Sequence, residues 1–369
     1  MKDRRVKTTT ICAVMVLGIC IPTGISRGQA KNQKAAMDAY NLRMQGKVDD
    51  ARALLEQDIQ KNPHNAAAYY ELARTRLYMA LGNPKNLEEG ITDADQSISK
   101  AVENEPNNVI YPFFEGYVAF FQAYISLMKN ESDAKEKVSK VCEAYESALK
   151  LKPDYCQAML YLVEIYGALP EDKGGDKSKA EQYAKKLEGL DEVLGAKARS
   201  ILLPEDANSI DYWQNVLKKN EGNADVLEEL GKAYLRADKA NEGVLCFEKA
   251  VKINPEKAYL FLDLSRYYTF SAMRAGNDTE LLNTSMTSGD AAATRYLESK
   301  PILPMQAHAL GVQYKFKYRL AGKEEAEKIL KRAEALDPYF SKATGAPHPD
   351  LFILPDEISK NHRYLFRPF

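Results

Sequence analysis

Apolar positions recur at spacings of three and four through most of the chain, and no segment alternates with period two over a useful length. The pattern predicts helices and essentially no sheet. Its clearest stretch is residues 224–255, ADVLEELGKAYLRADKANEGVLCFEKAVKINP. Leu227, Leu230 and Tyr234 share one face of a first amphipathic helix, and Phe247, Ala250 and Ile253 share one face of a second. A turn is expected near Asp238 and Lys239, and Pro255 ends the unit. Gly231 and Gly243 fall where the two helices face each other, so their backbones can approach closely.

Related pairs precede and follow this one. A first runs from about Asn32 to Pro63. A second places Tyr69, Leu72 and Ala73 on one helix and Ala94, Ile98 and Ala101 on the next, and a third places Phe113, Gly116 and Ala119 before Tyr145 and Ala148. The fourth starts at Cys156 and lacks the closing proline, since Glu192 stands there. The sixth carries Phe261, Leu264 and Tyr268, and the seventh Leu310, Gly311 and Tyr314. Four pairs carry extra residues between their helices, at 82–90, 129–135, 170–175 and 276–289, which read as inter-helix insertions. Asp176 reads as the N-cap of the helix after the third of these. The divergent piece before the fifth pair reads as two bridging helices, with Pro204 as a helix start and the single tryptophan, Trp213.

Leu230, Gly231 and Tyr234, followed by Phe247, Ala250 and Pro255, stand at the offsets of the tetratricopeptide repeat (TPR), which this unit resembles. The resemblance covers about residues 32–338. It implies an all-α fold, a right-handed α-solenoid of about seven helical hairpins. The corresponding division is a signal peptide at 1–30, N-terminal repeats at 31–190, bridging helices at 191–222, C-terminal repeats at 223–338 and an irregular C-terminal cap at 339–369. Single hairpins cannot bury their apolar faces, so stacking is required. In the tail, four prolines break the helical pattern, yet Leu351, Phe352, Ile353, Leu354, Tyr364, Leu365, Phe366 and Phe369 make it apolar. It is expected to cover the last helices, or, as a sharper alternative, to occupy the concave groove.

The resemblance also implies that first helices line a concave surface. Carried onto this sequence, the groove-facing positions are Tyr40 and Arg43, then Tyr70, Arg74 and Tyr78, then Phe113, Tyr117, Phe120 and Phe121. Further on they are Glu164, then Glu228, Lys232 and Arg236, then Tyr259, Arg266 and Phe270, then His308, Lys315 and Phe316. Residues 111–124, YPFFEGYVAFFQAY, hold seven aromatics in fourteen positions, more than one helix face can bury. The partner-binding set is therefore Tyr70, Arg74, Tyr78, Phe113, Tyr117, Phe120, Phe121, Tyr259, Arg266 and Phe270. Such a groove suits an extended peptide or an elongated apolar small molecule. Asp225, Glu228 and Lys232 in the fifth pair break the Lys/Asn/Arg set with which some TPR domains hold a chaperone's C-terminal carboxylate.

Charge changes the picture at the N-terminus. Lys2, Arg4, Arg5 and Lys7 precede an apolar run from Ile11 to Ile21, then Pro22 and a small-residue segment ending at Ala30, the order of a secretory signal peptide. As a helix the run would span about 16 Å, against a hydrocarbon core of about 30 Å, so export to a periplasmic or extracellular space is expected. The alternative is an uncleaved anchor, which would be the only membrane contact. Ile19 stands where a lipobox needs a small residue before Cys20, so lipidation is not expected. Losing residues 1–30 removes five basic residues and one acidic from totals of 51 and 52, which leaves a formal charge of −5. An acidic surface does not favour nucleic acid, whose affinity comes from neutralised phosphates. Cys142, Cys156 and Cys246 remain, an odd number, and the close pair is separated by about 15 Å of helix, so three buried, inert thiols are expected.

No catalytic constellation emerges. The four histidines, His64, His308, His348 and His362, have no metal-ligand spacing, and no nucleophile elbow, phosphate loop or dinucleotide fingerprint is present. No cofactor is implied. The expected function is a non-enzymatic scaffold that holds a protein partner in its groove. A second reading comes from residues 166–187, YGALPEDKGGDKSKAEQYAKKL, which resemble a segment of the T-component TPR proteins of TRAP transporters and so imply a ligand-binding transport accessory.

Overall fold

A computed structural model describes residues 27–342, with side chains from residue 33. The signal-like segment at 1–26 and the tail from 343 onward lie outside the described residues, and with them most of the expected cap. The described residues form sixteen α-helices joined by turns and four short 310 turns, without a strand.

The helices pair in sequence: α1 (Arg27–Met44) with α2 (Val48–Lys61), α3 (Ala66–Leu81) with α4 (Leu87–Asn104), α5 (Ile110–Lys129) with α6 (Ala134–Leu151), and α7 (Cys156–Ala168) with α8 (Lys177–Leu190). Then α9 (Glu192–Ile201) and α10 (Ser209–Lys219) bridge to three more pairs. These are α11 (Ala224–Arg236) with α12 (Ala240–Ile253), α13 (Tyr259–Arg274) with α14 (Thr279–Glu298), and α15 (Leu303–Leu320) with α16 (Lys323–Leu336). Side-chain oxygens of Asn65, Asp176, Asp191, Asn208, Asn223 and Asp278 accept from backbone N–H groups of the first turn that follows and set the starts of six helices. Within the fifth pair the backbones do approach closely: a Cβ on Gly231 would lie 2.4 Å from the Phe247 ring.

The insertions differ, and one expected helix start needs correction. Residues 276–289 are mostly helical, while 82–90 and 129–135 are helical only in part. The extra residues lengthen the helices, giving α5 and α14 twenty residues each, and leave only a few linking residues, with Asn130 in the left-handed conformation ending α5. Flanking sequence of good helix propensity makes extra turns cheaper than an unsupported loop. Residues 82–86 and 170–175 stay irregular, each with a 310 turn, and in the second Gly174 at φ 99° precedes the Asp176 cap. Pro204 starts no helix. It lies in the link after α9, and Asn208 caps α10 instead, with its Oδ1 accepting from Ile210 and Asp211.

The core runs along the stack as successive clusters, one between each pair of neighbouring hairpins. Trp213 of the bridge is wholly buried with Val226, Leu230 and Ala233 of α11. The last cluster is different, because it joins the two ends of the chain. Val48 of α2 and Tyr78 of α3 share it with Phe261, Tyr296, Phe316 and Phe340. The 310 turn Phe340–Lys342 lies in this seam. Close backbone approach confirms the contact: a Cβ on Gly46, whose φ is 76°, would sit 2.2 Å from the Leu336 carbonyl oxygen, and one on Gly82 2.6 Å from that of Tyr339. The Tyr339 hydroxyl also donates to Asp49 at 3.0 Å. The solenoid thus closes its first hairpins onto its last.

Candidate interaction surface on the inner helices

Each first helix presents one row of side chains to the inside of the closed solenoid. Much of this row is packed and carries charge. Glu71 is buried and grips two buried arginines: Oε1 accepts from Arg43 at 2.7 Å and Oε2 from Arg74 at 2.8 Å. Arg43 also lies over the Tyr40 and Tyr78 rings, and Arg74 over Tyr40 and Tyr70. Across the solenoid, Lys197 of α9 meets Glu229 of α11 at 3.0 Å. Lys232 meets Glu228 at 2.6 Å, and Lys257 meets the other oxygen of Glu228 at 2.5 Å, with the Tyr259 hydroxyl at 2.8 Å.

Burial acts to raise the carboxyls of Glu228 and Glu229, but the surrounding ammonium groups outweigh it. Lys232, Lys197 and Lys257 hold Glu228 far below the usual range, and Lys197 and Lys232 bring Glu229 to about 2. Asp263 of α13 is the opposite case. Burial pushes it up to about 6, although Arg266 donates to it at 2.8 Å.

Arg266 also donates, from Nη2, to His308 Nε2 of α15 at 2.7 Å, and His308 Nδ1 faces the Phe340 carbonyl oxygen at 3.3 Å. An arginine brings only protons to that contact, so Nε2 accepts and Nδ1–H donates, and the imidazole is neutral. Burial and then the Arg266 charge hold the His308 pKa well below its ordinary value. A belt of buried polar contacts therefore runs from the bridge through α11, α13 and α15 to the seam at Phe340 and Tyr78, and on to Arg43 and Glu71.

The C-terminal turns of α5, α13 and α15 are open, whereas Arg43 and Tyr78 in the last turns of α1 and α3 are buried. On α5 Phe120, Tyr124 and Met128 are 40%, 51% and 69% exposed; on α13 Phe270 and Met273 are 50% and 75%, and on α15 Tyr318 is 51%. Phe120 and Tyr124 stack with centroids 6.2 Å apart. Arg236 at the end of α11 and Lys315 of α15 are exposed. Lys315 reaches solvent, yet surrounding protein and the charge of Arg266 lower its pKa, a combination expected of a concave wall.

This division sorts the residues expected to bind a partner. Tyr70, Arg74, Tyr78, Phe113 and Tyr117 are buried, and their rings pack on neighbouring helices: Tyr70 against Tyr111 and Phe114, Phe113 against Tyr155 and Tyr161. Phe121, Tyr259 and Arg266 are half-buried, with Phe121 edge-on to Tyr117. Phe120 and Phe270 reach the surface. Tyr124, Met128, Met273 and Tyr318 were missed. They lie three, four or eight positions along the helix from residues on the inner row, and that spacing was the available signal.

Among the described residues no group of three or more His, Cys, Asp or Glu side chains could hold a metal ion, and no helix is long and apolar enough to cross a membrane. Cys142, Cys156 and Cys246 are free thiols, with Cys156 only half-buried and burial raising Cys142 to about 11.

Stacked antiparallel helix pairs with a shared inner row define an all-helical repeat solenoid. The chain carries a match to the tetratricopeptide repeat: that family's model covers residues 42–85, from the end of α1 through the turn after α3. No curated protein matches it in sequence. Among solved structures, TTC0263, a thermophilic TPR protein of Thermus thermophilus, is 18% identical over 64% of this chain and 98% of that one, with a TM-score of 0.38. YrrB, described as a TPR protein with an unusual peptide-binding site, is 14% identical over 62% and 90%, with a TM-score of 0.29. Human IFIT1, solved as a dimer with m7Gppp-AAAA, is 15% identical over 84% and 69%, with a TM-score of 0.38.

Proposed function

We propose that this protein is a non-enzymatic TPR scaffold of an extracytoplasmic compartment, which holds a protein or peptide partner along the exposed C-terminal turns of its inner helices. The observation that carries the reading is the row of large apolar side chains there, Phe120, Tyr124 and Met128 on α5 with Phe270, Met273 and Tyr318 on α13 and α15, standing above a packed floor. Aromatic and methionine side chains on a rigid wall are the groups that dominate binding energy at protein interfaces. Arg236 and Lys315 favour a partner whose apolar residues are flanked by carboxylates. The signal-like order of residues 1–30 supports export.

The test is capture of partners from the native extract by the full-length protein and by the Phe270→Asp, Met273→Asp double variant. Loss of a captured partner with an unchanged helical circular-dichroism spectrum supports the reading. Retention of every partner overturns it. Charge placed at buried Phe113 or Tyr117 would break the core and tests nothing about binding. N-terminal sequencing of protein from an extracytoplasmic fraction, with a start near residue 31, checks export. A small organic molecule retained in native mass spectrometry would instead favour the transport-accessory reading.

A further inference from the structure

We propose that the open inner surface between α13 and α15 is a docking site for this chain's own segment 350–357, DLFILPDE, which a partner must displace. The inference rests on the interaction reading above, because it names the first ligand of that surface.

Three observations meet there. The chain is already inside the inner row when the described residues end. Asp337 Oδ1 accepts from the backbone N–H groups of Tyr339 and Phe340, and this turns Phe340 against His308 and Tyr78. Ser341 then lies on α15 so closely that a Cβ on Gly311 would sit 2.1 Å from its carbonyl oxygen. The register places the open surface next in line. Arg266 and His308 are side by side at 2.7 Å, so the following turns of α13 and α15 bring Met273 level with Lys315, with Phe270 a turn before and Tyr318 a turn beyond. From Gly311 to Tyr318 is about 10 Å along the helix, and the eight residues from Lys342 to Asp350 reach up to about 26 Å.

The chemistry also matches. Leu351, Phe352, Ile353 and Leu354 form one apolar run with Asp350 before it and Asp356 and Glu357 after it. The wall offers apolar Phe270, Met273 and Tyr318 together with Lys315 on α15. A tethered ligand acts at an effective concentration of order millimolar, so only a partner that binds well below that competes.

Two experiments on the full chain decide it. A benzophenone amino acid at position 270 should crosslink to a peptide containing 350–357 within one chain, independently of protein concentration, while the same probe at position 245, on α12, should not. No crosslink to that peptide, or one formed only between two copies, overturns the proposal. A labelled peptide of residues 348–358 should bind the Leu351→Asp, Ile353→Asp variant at least tenfold more tightly than the unaltered chain, and adding Phe270→Asp and Met273→Asp should abolish that binding. Equal binding to both chains overturns it. If the crosslink is missing while partner capture still depends on Phe270 and Met273, this inference falls and the scaffold reading stands. If capture is also indifferent to them, both fall.

Discussion

Tyr78 donates a hydrogen bond of 2.5 Å to Asp337, 259 positions further along the chain, and the two side chains are wholly buried. The contact joins the second hairpin to the last. Burial and then the Asp337 charge raise the phenol pKa well above its usual value, and burial raises that of Asp337.

The seam should therefore be a measurable part of stability. Phe340→Ala removes a fully buried ring whose centroid lies 4.1 Å from that of Tyr78, and is expected to cost about 3–5 kcal/mol. Tyr78→Phe keeps the ring and removes one donor from a buried carboxyl that still accepts two backbone N–H bonds, so about 1–3 kcal/mol is expected. Urea unfolding followed by circular dichroism gives both values. If both changes are neutral, the ends do not close in solution.

His308 and Asp263 give the buried belt opposite pH signatures. The His308 folded pKa lies below the unfolded value of about 6.5, so its contribution is present above pH 6.5 and is lost as pH falls below it. Asp263 is raised from about 4 to about 6, so its folded form takes up a proton first, and stability from it grows as pH falls through 6 toward 4. The unaltered protein should show a shallow slope between pH 6.5 and 4.5, because the two partly cancel. His308→Gln should expose the Asp263 slope, with stability rising on acidification by up to about 1.4 kcal/mol per pH unit, and Asp263→Asn should expose the opposite slope. Unfolding free energies from pH 4.5 to 7.5 decide this. Identical slopes in all three proteins would refute the assignment.

The hairpins were legible because each carries its own local pattern: Leu227, Leu230 and Tyr234 need no distant partner to mark a helix face. The seam was not, since nothing near Tyr78 or Asp337 marks the other. The inner row was located by family spacing, but spacing cannot tell a residue that lines a groove from one pressed against its neighbour. Arg74 and Phe113 belong to the second kind, Phe120 and Phe270 to the first. A signal for burial did exist. Glu71 with Arg74, Glu228 with Lys232 and Asp263 with Arg266 place opposite charges three or four residues apart on the inner row, where each partner can compensate the other out of water.

Two helical glycines separate close packing from mere propensity. Gly231 of α11 has the Phe247 ring 2.4 Å and the Cys246 Cβ 3.2 Å from where its own Cβ would stand, and Phe247 is wholly buried between two helices. Gly231→Ala must push the helices apart and should cost about 1–3 kcal/mol. Gly189, in the last turn of α8, has nothing within 4 Å of the same point. Gly189→Ala should stabilise by about 0.4–1 kcal/mol, because alanine loses less backbone entropy on folding. Thermal unfolding of the two single variants should move the melting temperature in opposite directions, and a shift of the same sign in both would mean that α11 and α12 are not in the close contact that Gly231 permits.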